Sequence, residues 1–363
     1  MERAGNKVSI GQLFLLIIHM QIGVGLLSLP HDVFLISKGD GWISTFLAGL
    51  IVQVNIFVIW ALCRKYPHLT FYEFVPLIIG KAFGKTLMFF YTLYYASTIF
   101  MFLVLYGNII NLWIFPMTPK WIIIALMLIT ACYLAVENLQ IISRFLLLTT
   151  GLILVLFILV FIPTFNGNVM YILPIGQSGM KDIVEGMYNA TYSFIGFDTL
   201  LIIYAYVQGN GKAILKTISL ANGFVTLFYT FLVFSSLIFF SPEEMALVPQ
   251  PVLYMLKSFS FKIIERTDLV FLSFWMAIVL CSAVIGLFVT SLGAANTFGL
   301  KGHRKVTPLV CLICFVFSII PRNEQFIITL GKYFRYNNVL FVLILPLFLL
   351  VIAMFQQRRK PVE

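Results

Sequence analysis

The sequence predicts an all-α membrane protein of about ten spanning helices, arranged as two inverted halves of five. Three observations carry this prediction. Of the 363 residues, 61% are hydrophobic and only 10% charged, against about 45–50% and about 25% in soluble domains. The apolar residues gather in runs near the length, about 20 residues, that crosses a bilayer. Two of those runs are interrupted, by Gly23-Val24-Gly25 in the first and by Ser193-Phe194-Ile195-Gly196-Phe197-Asp198 in the sixth. Broken helices at corresponding places in two halves point to a binding site of the transporter type. Few residues remain for loops, so one membrane domain over 1–363 is expected, with pseudo-repeats at about 9–162 and 182–355.

Taken in order, the spans are expected near 9–36 (broken), 42–62, 84–113, 120–136, 141–162, 182–207 (broken), 213–240, 268–297, 306–320 and 334–355. Arg3 and Lys7 precede a run longer than a signal-peptide core, with no small-residue cleavage site after it, so the first span is read as retained. The connection 63–83, with Thr70-Phe71-Tyr72-Glu73-Phe74 and Lys81, has the mixed polarity of a short interfacial helix. The ninth span is short and lies between Pro308 and Pro321. Segment 241–267 carries Pro242, Pro249 and Pro251, with Glu243, Glu244 and Glu265 beside Lys257, Lys262 and Arg266. It reads as a solvated connection, or as a folded cap or re-entrant piece, rather than a further span. An odd number of spans per half forces the second half to insert upside down relative to the first.

The net charge of +10 does not indicate nucleic acid, because the basic residues sit in short loops between apolar runs. There they set topology and meet anionic lipid. With both termini cytoplasmic, the inner segments hold 15 of the 24 basic residues: Arg3, Lys7, Arg64, Lys65, Lys81, Lys85, Arg144, Lys212, Lys216, Lys301, Arg304, Lys305, Arg358, Arg359 and Lys360. The longer segments 241–267 and 321–333 fall outside. Five cysteines (63, 132, 281, 311, 314) lie mostly within apolar runs and read as small buried hydrophobes. Cys311-x-x-Cys314 lacks a second ligand pair, so no metal is expected, and no cofactor motif occurs. No nucleophile–base pair suggests an enzyme.

The chemistry is expected at the breaks. In lipid, non-helical backbone survives only where it lines protein or a wet cavity. At Gln21-Ile22-Gly23-Val24-Gly25-Leu26 the glycines permit unwinding and a close approach of ligand to backbone. Freed N–H groups there suit a carboxylate without any basic side chain. Freed carbonyls of Tyr192, Ser193 and Ile195 suit an ammonium, so the pair of breaks suits a zwitterion. A Gly-x-Gly alone is more often a close-packing patch; its pairing with the second break favours binding. Asp198 is an intramembrane carboxylate and is read as a proton- or ion-coupling candidate, with a hydrogen-bonded structural role as the alternative. His19 reads as a satisfied interior histidine rather than a proton relay and Asp32 as interfacial, while Glu137 and Arg144 can pair across the inner loop. Tyr95 and Thr98, one turn apart, can line the same cavity or pack.

At these residues a family pattern appears. Tyr192-Ser193-Phe194-Ile195-Gly196-Phe197-Asp198 resembles the sixth-helix motif of the amino acid–polyamine–organocation superfamily, and Gly23-Val24-Gly25 resembles its first-helix Gly-Ser-Gly with Val24 in place of serine. The resemblance implies the LeuT-like fold, with Tyr192 at the aromatic-gate position, Ile195 giving a carbonyl to the ligand amine, and Asp198 linked to proton coupling. Phe194 and Gly196 belong to the same motif. The opening Val8-Ser9-Ile10-Gly11-Gln12-Leu13-Phe14 and the run Ile22-Gly23-Val24-Gly25-Leu26-Leu27-Ser28-Leu29-Pro30 are similar to the B-type subunit of spore germinant receptors. That likeness implies a multi-pass protein of the spore inner membrane beside a larger membrane subunit and a lipoprotein. It further implies recognition of a small nutrient, usually an amino acid, that triggers germination. A proton- or sodium-coupled amino-acid transporter is the alternative.

Overall fold

A computed structural model of the chain describes residues 7–259, 265–321 and 323–358. Arg3, Lys262, Arg359 and Lys360 of the charge pattern lie outside them. The first run folds as two half-helices. α1 (Ile10–Gln21) opens on a capping box, in which Ser9 Oγ accepts from the Gln12 N–H at 3.2 Å and Gln12 Oε1 from the Ser9 N–H at 2.8 Å. It ends where Gly23 is extended, at φ −125° and ψ −150°. A 3-10 turn at Val24–Leu26 then leads into α2 (Leu29–Ser37), with Pro30 in the first turn, where a missing N–H breaks no helical bond.

The first half continues with α3 (Gly41–Lys65), α4 (Phe71–Ile79), α5 (Lys81–Trp113), α6 (Lys120–Ala135) and α7 (Leu139–Thr164). The second half begins with α8 (Gly179–Thr191) and, past the second break, α9 (Phe197–Tyr206). It proceeds through α10 (Gly211–Phe239), the short α11 (Pro242–Leu247) and α12 (Pro251–Lys257), α13 (Thr267–Thr297) and α14 (Thr307–Ser318). It closes with α15 (Glu324–Asn338) and α16 (Leu345–Arg358), joined by a π turn at Val339–Ile344. Helices at equivalent places in the two halves pack together: α3 along α10, and α5 along α13. The half-helix α1 sits centrally, against α10, α7 and α13. This is the arrangement an inverted repeat gives when its first helices are broken at the centre.

The outward faces are apolar. On α7, Leu147 is 64% exposed and Leu148 80%, a surface that water penalises and lipid accepts. Six helical stretches among the described residues are long and apolar enough to cross a membrane, and the shorter apolar helices α1, α6, α9 and α14 pack among them. With 12 residues, α14 is only roughly 18 Å long, and Pro308 lies in its first turn rather than breaking it.

Several connections differ from what hydropathy suggests. The segment 63–83 does contain a helix, α4, but Phe71, Tyr72, Phe74 and Val75 are buried against the bundle. Of segment 241–267, the described residues 241–259 form a cap: Met245, Val252, Leu253, Met255 and Leu256 of α11 and α12 are buried. Residues 324–333, expected in a loop, are helical in α15, whose polar composition hides it from a hydropathy scan. Glu137 pairs with Arg304, Oε2 to Nη2 3.2 Å, and not with Arg144 as expected. The turn between α13 and α14 brings Arg304 to that loop, an approach that sequence distance conceals. Finally, Val8–Ser9 pairs in parallel with Val207–Gln208, tying the start of α1 to the end of α9. A two-residue bridge has no periodicity to read.

Candidate functional site

The two breaks cross at the centre of the bundle. A Cβ built on Gly25 would lie 3.0 Å from Ser193 Oγ, and one on Gly196 would lie 2.7 Å from the Met20 carbonyl oxygen. The Gln21 side chain bridges the breaks, its Nε2 donating to the Phe194 carbonyl at 3.3 Å. Around this crossing lies a cavity of about 70 Å³, lined by Gln21, Gly23, Val24 and Gly25 from the first break and by Tyr192, Ser193 and Ile195 from the second. Thr98, Ile99, Phe102 and Leu105 of α5 form its apolar wall, with Met20 and Ser282 completing the lining. No charged side chain is among these residues.

The freed backbone is only partly repaired by side chains. Ser282 Oγ on α13 donates to the His19 carbonyl at 2.5 Å and lies 3.2 Å from that of Ile22. Tyr229 on α10 donates its hydroxyl to the Gln21 carbonyl at 2.8 Å. These two residues cap the carbonyl end of α1, and sequence reasoning missed both, because a Ser and a Tyr inside apolar helices are unremarkable locally. Removing the Tyr229 hydroxyl (Tyr229→Phe) is expected to destabilise the protein by about 1–3 kcal/mol through the bare carbonyl, read as a lowered melting temperature of the purified protein. On the N–H side, Val24 and Gly25 have no acceptor among the described residues. In the second break the Tyr192 carbonyl accepts from the Ile195 N–H at 3.4 Å, while the Ser193 and Ile195 carbonyls receive no bond among the described residues.

Tyr95, Phe194, Gly196 and Asp198 stand just outside the cavity lining. The Tyr95 hydroxyl turns away from Thr98 and donates to Asp198 Oδ2 at 2.6 Å, while the Gly196 N–H donates to Asp198 Oδ1 at 3.2 Å. Asp198 is fully buried, and Tyr91 lies edge-on to Tyr95 with ring centroids 5.3 Å apart. Phe194 is buried edge-on to Tyr229, with ring centroids 5.1 Å apart. Gly196, at φ +121°, lets the second break lie on Met20. His19 is buried and satisfied: Nδ1 lies 3.0 Å from the Leu15 carbonyl, which can only accept, and Nε2 lies 3.0 Å from Thr149 Oγ1. Because a backbone carbonyl only accepts, Nδ1 carries a proton. Asp32 is exposed near the far end of the first run.

A family model described as "Spore germination protein" matches residues 7–327. The chain belongs to the spore germination protein family. Among curated spore germination proteins, GerQB of Bacillus cereus is 27% identical over 322 residues, covering 88% of each chain. YndE of Bacillus subtilis (strain 168) is 24% identical over 362 residues, covering 97% of this chain and 98% of its own. Among solved structures, a Na+-coupled sialic acid symporter captured substrate-bound and outward-open matches with a TM-score of 0.63 over 87% of this chain and 74% of its own, at 13% identity. This spore germination protein therefore carries the LeuT-like inverted-repeat transporter fold, with its first and sixth helices broken at the centre.

Proposed function

We propose that this spore germination protein is the nutrient-recognising membrane subunit of a germinant receptor, and that the nutrient, an amino acid, binds where the two broken helices cross. The observation that carries this is the cavity itself: bare backbone from both breaks, an apolar wall from α5, and no charged side chain. The N–H groups of Val24 and Gly25 face a ligand carboxylate, and the carbonyls of Ser193 and Ile195 its ammonium. An unpaired side-chain charge is costly to bury, so a wall of Ile99, Phe102 and Leu105 suits an uncharged, apolar side chain. Binding biases a two-state rocking of the halves, which a larger membrane subunit and a lipoprotein read. The protein sits in the spore inner membrane with both termini cytoplasmic.

The symporter fold favours one second reading, a proton- or sodium-coupled amino-acid permease with Asp198 as the coupling acid. Deleting the gene in its source organism and scoring spore germination against single nutrients separates the two. Loss of response to one nutrient supports the receptor. A normal response, with redundant receptors removed, and nutrient uptake by the isolated chain support the permease. Gly25→Val is expected to abolish the response while the chain still inserts, since the valine must displace Ser193. A normal dose–response from that variant sinks the site.

A further inference from the structure

A chain of side-chain amides leads from α10 to Gln21, a residue that lines the cavity, and its orientation is fixed by backbone carbonyls at two points. Asn222 Nδ2 donates to the Gly49 carbonyl at 3.1 Å. A backbone carbonyl only accepts, so the amide of Asn222 has one possible assignment. Its Oδ1 is then the atom that faces Gln21 Nε2, 3.4 Å away. Gln21 Nε2 is held a second time by the Phe194 carbonyl, at 3.3 Å, which again only accepts. Behind Asn222 the order continues: Gln53 Oε1 accepts from Asn222 Nδ2 at 3.2 Å, and Gln53 Nε2 donates to Ser219 Oγ at 2.8 Å.

The links therefore leave one and the same atom unpaired. Gln21 Oε1 is left without a partner among the described residues, on a side chain only 1% exposed that lines the cavity. Buried acceptors are seldom left bare, because burial removes their water without replacing it. Flipping the Gln21 amide gives no relief, since it would set an oxygen against the Phe194 carbonyl and Asn222 Oδ1. What the site lacks is a donor supplied from the cavity.

We infer that Gln21 Oε1 accepts an N–H of the ligand's ammonium, and that Asn222 is the positioning residue that holds this oxygen toward the cavity. The inference rests on the cavity being the nutrient site and adds how that site recognises an amine with no acidic side chain in its lining. A carboxylate placed there would meet an oxygen lone pair, so the amide chain also orients the zwitterion, ammonium to Gln21 and carboxylate to the first break.

The test measures a ratio of affinities. The purified full chain in lipid nanodiscs is screened by thermal shift against the twenty protein amino acids, and the strongest binder is compared with its des-amino analogue, which keeps the carboxylate and side chain. Gln21→Met is expected to lower the amino acid's affinity about tenfold or more, the scale of one hydrogen bond from a charged donor, with the analogue's affinity little changed. The selectivity ratio collapses accordingly. Asn222→Leu, which frees the Gln21 amide to turn, lowers the ratio partway. A purely structural role for Asn222 would weaken both ligands alike and leave the ratio intact. Should Gln21→Met not fold, Gln21→Asn, which withdraws the oxygen by one methylene, reports the same ratio. An unchanged ratio in the folded variants overturns the inference alone, whereas a wild-type chain that binds none of the twenty overturns the nutrient site with it.

Discussion

Gly196→Ala is expected to disable the protein without preventing its insertion. At φ +121° the residue occupies backbone space that side chains rarely enter, a strain of about 1–3 kcal/mol. The added Cβ would also lie 2.7 Å from the Met20 carbonyl oxygen and 2.8 Å from its carbon. Those are backbone atoms of the opposing break, so no side-chain rotation relieves the contact. The breaks must separate, and with them the Gln21–Phe194 bridge and the cavity. A loss above about 4 kcal/mol is expected from this combination of strain and overpacking. Hydropathy is unaffected, so membrane levels of Gly196→Ala and of the bulkier Gly196→Val should match wild type, while the melting temperature falls and, under the proposed function, the nutrient response is lost. A wild-type melting curve for Gly196→Ala would falsify the account of the crossing.

Replacing Asp198 should divide sharply by the substituent. In Asp198→Ala, the Tyr95 hydroxyl and the Gly196 N–H both lose their acceptor in a fully buried site. Two bare donors and a small cavity are together expected to remove about 3–5 kcal/mol. Asp198→Asn keeps an oxygen for one of these donors and nearly the same volume, and is expected to fold with a cost near 1–2 kcal/mol. The asparagine variant therefore isolates the carboxylate's charge from its packing. Under the proposal that Asp198 couples a proton, this folded variant is silent in germination assays and in uptake assays on proteoliposomes. Full activity from folded Asp198→Asn would confine Asp198 to bracing Tyr95 and the second break.

Those two expectations start from features of different visibility. Gly196 and Gly23-Val24-Gly25 interrupt apolar runs, and an interruption is local, so the breaks can be read along the chain. The same holds for the spanning runs, since a bilayer demands about 20 apolar residues wherever they occur. Polar helices escape that scan, which is why α15 begins at Glu324, ten residues before the expected span. Tyr95 and Thr98 show a further limit. Three residues apart on one helix, they share a face, yet Thr98 lines the cavity while Tyr95 reaches Asp198. A long side chain's target is set by the helix across from it rather than by its own spacing.

Three properties were legible along the chain: residence in lipid, about ten spanning helices, and two of them broken where backbone lies open. Each follows from composition and order along the chain, because the bilayer and the peptide group act on every segment in the same way. Helix packing, in contrast, sets the capping of the first break by Ser282 and Tyr229, the contact of Asn222 with the Gln21 amide, and the meeting of Glu137 with Arg304 rather than Arg144. Those contacts join residues more than 160 positions apart. A hydrogen bond is made within about 3.5 Å, so it depends on how helices pack, and packing is fixed by the whole set of facing side chains and not by any one stretch of sequence.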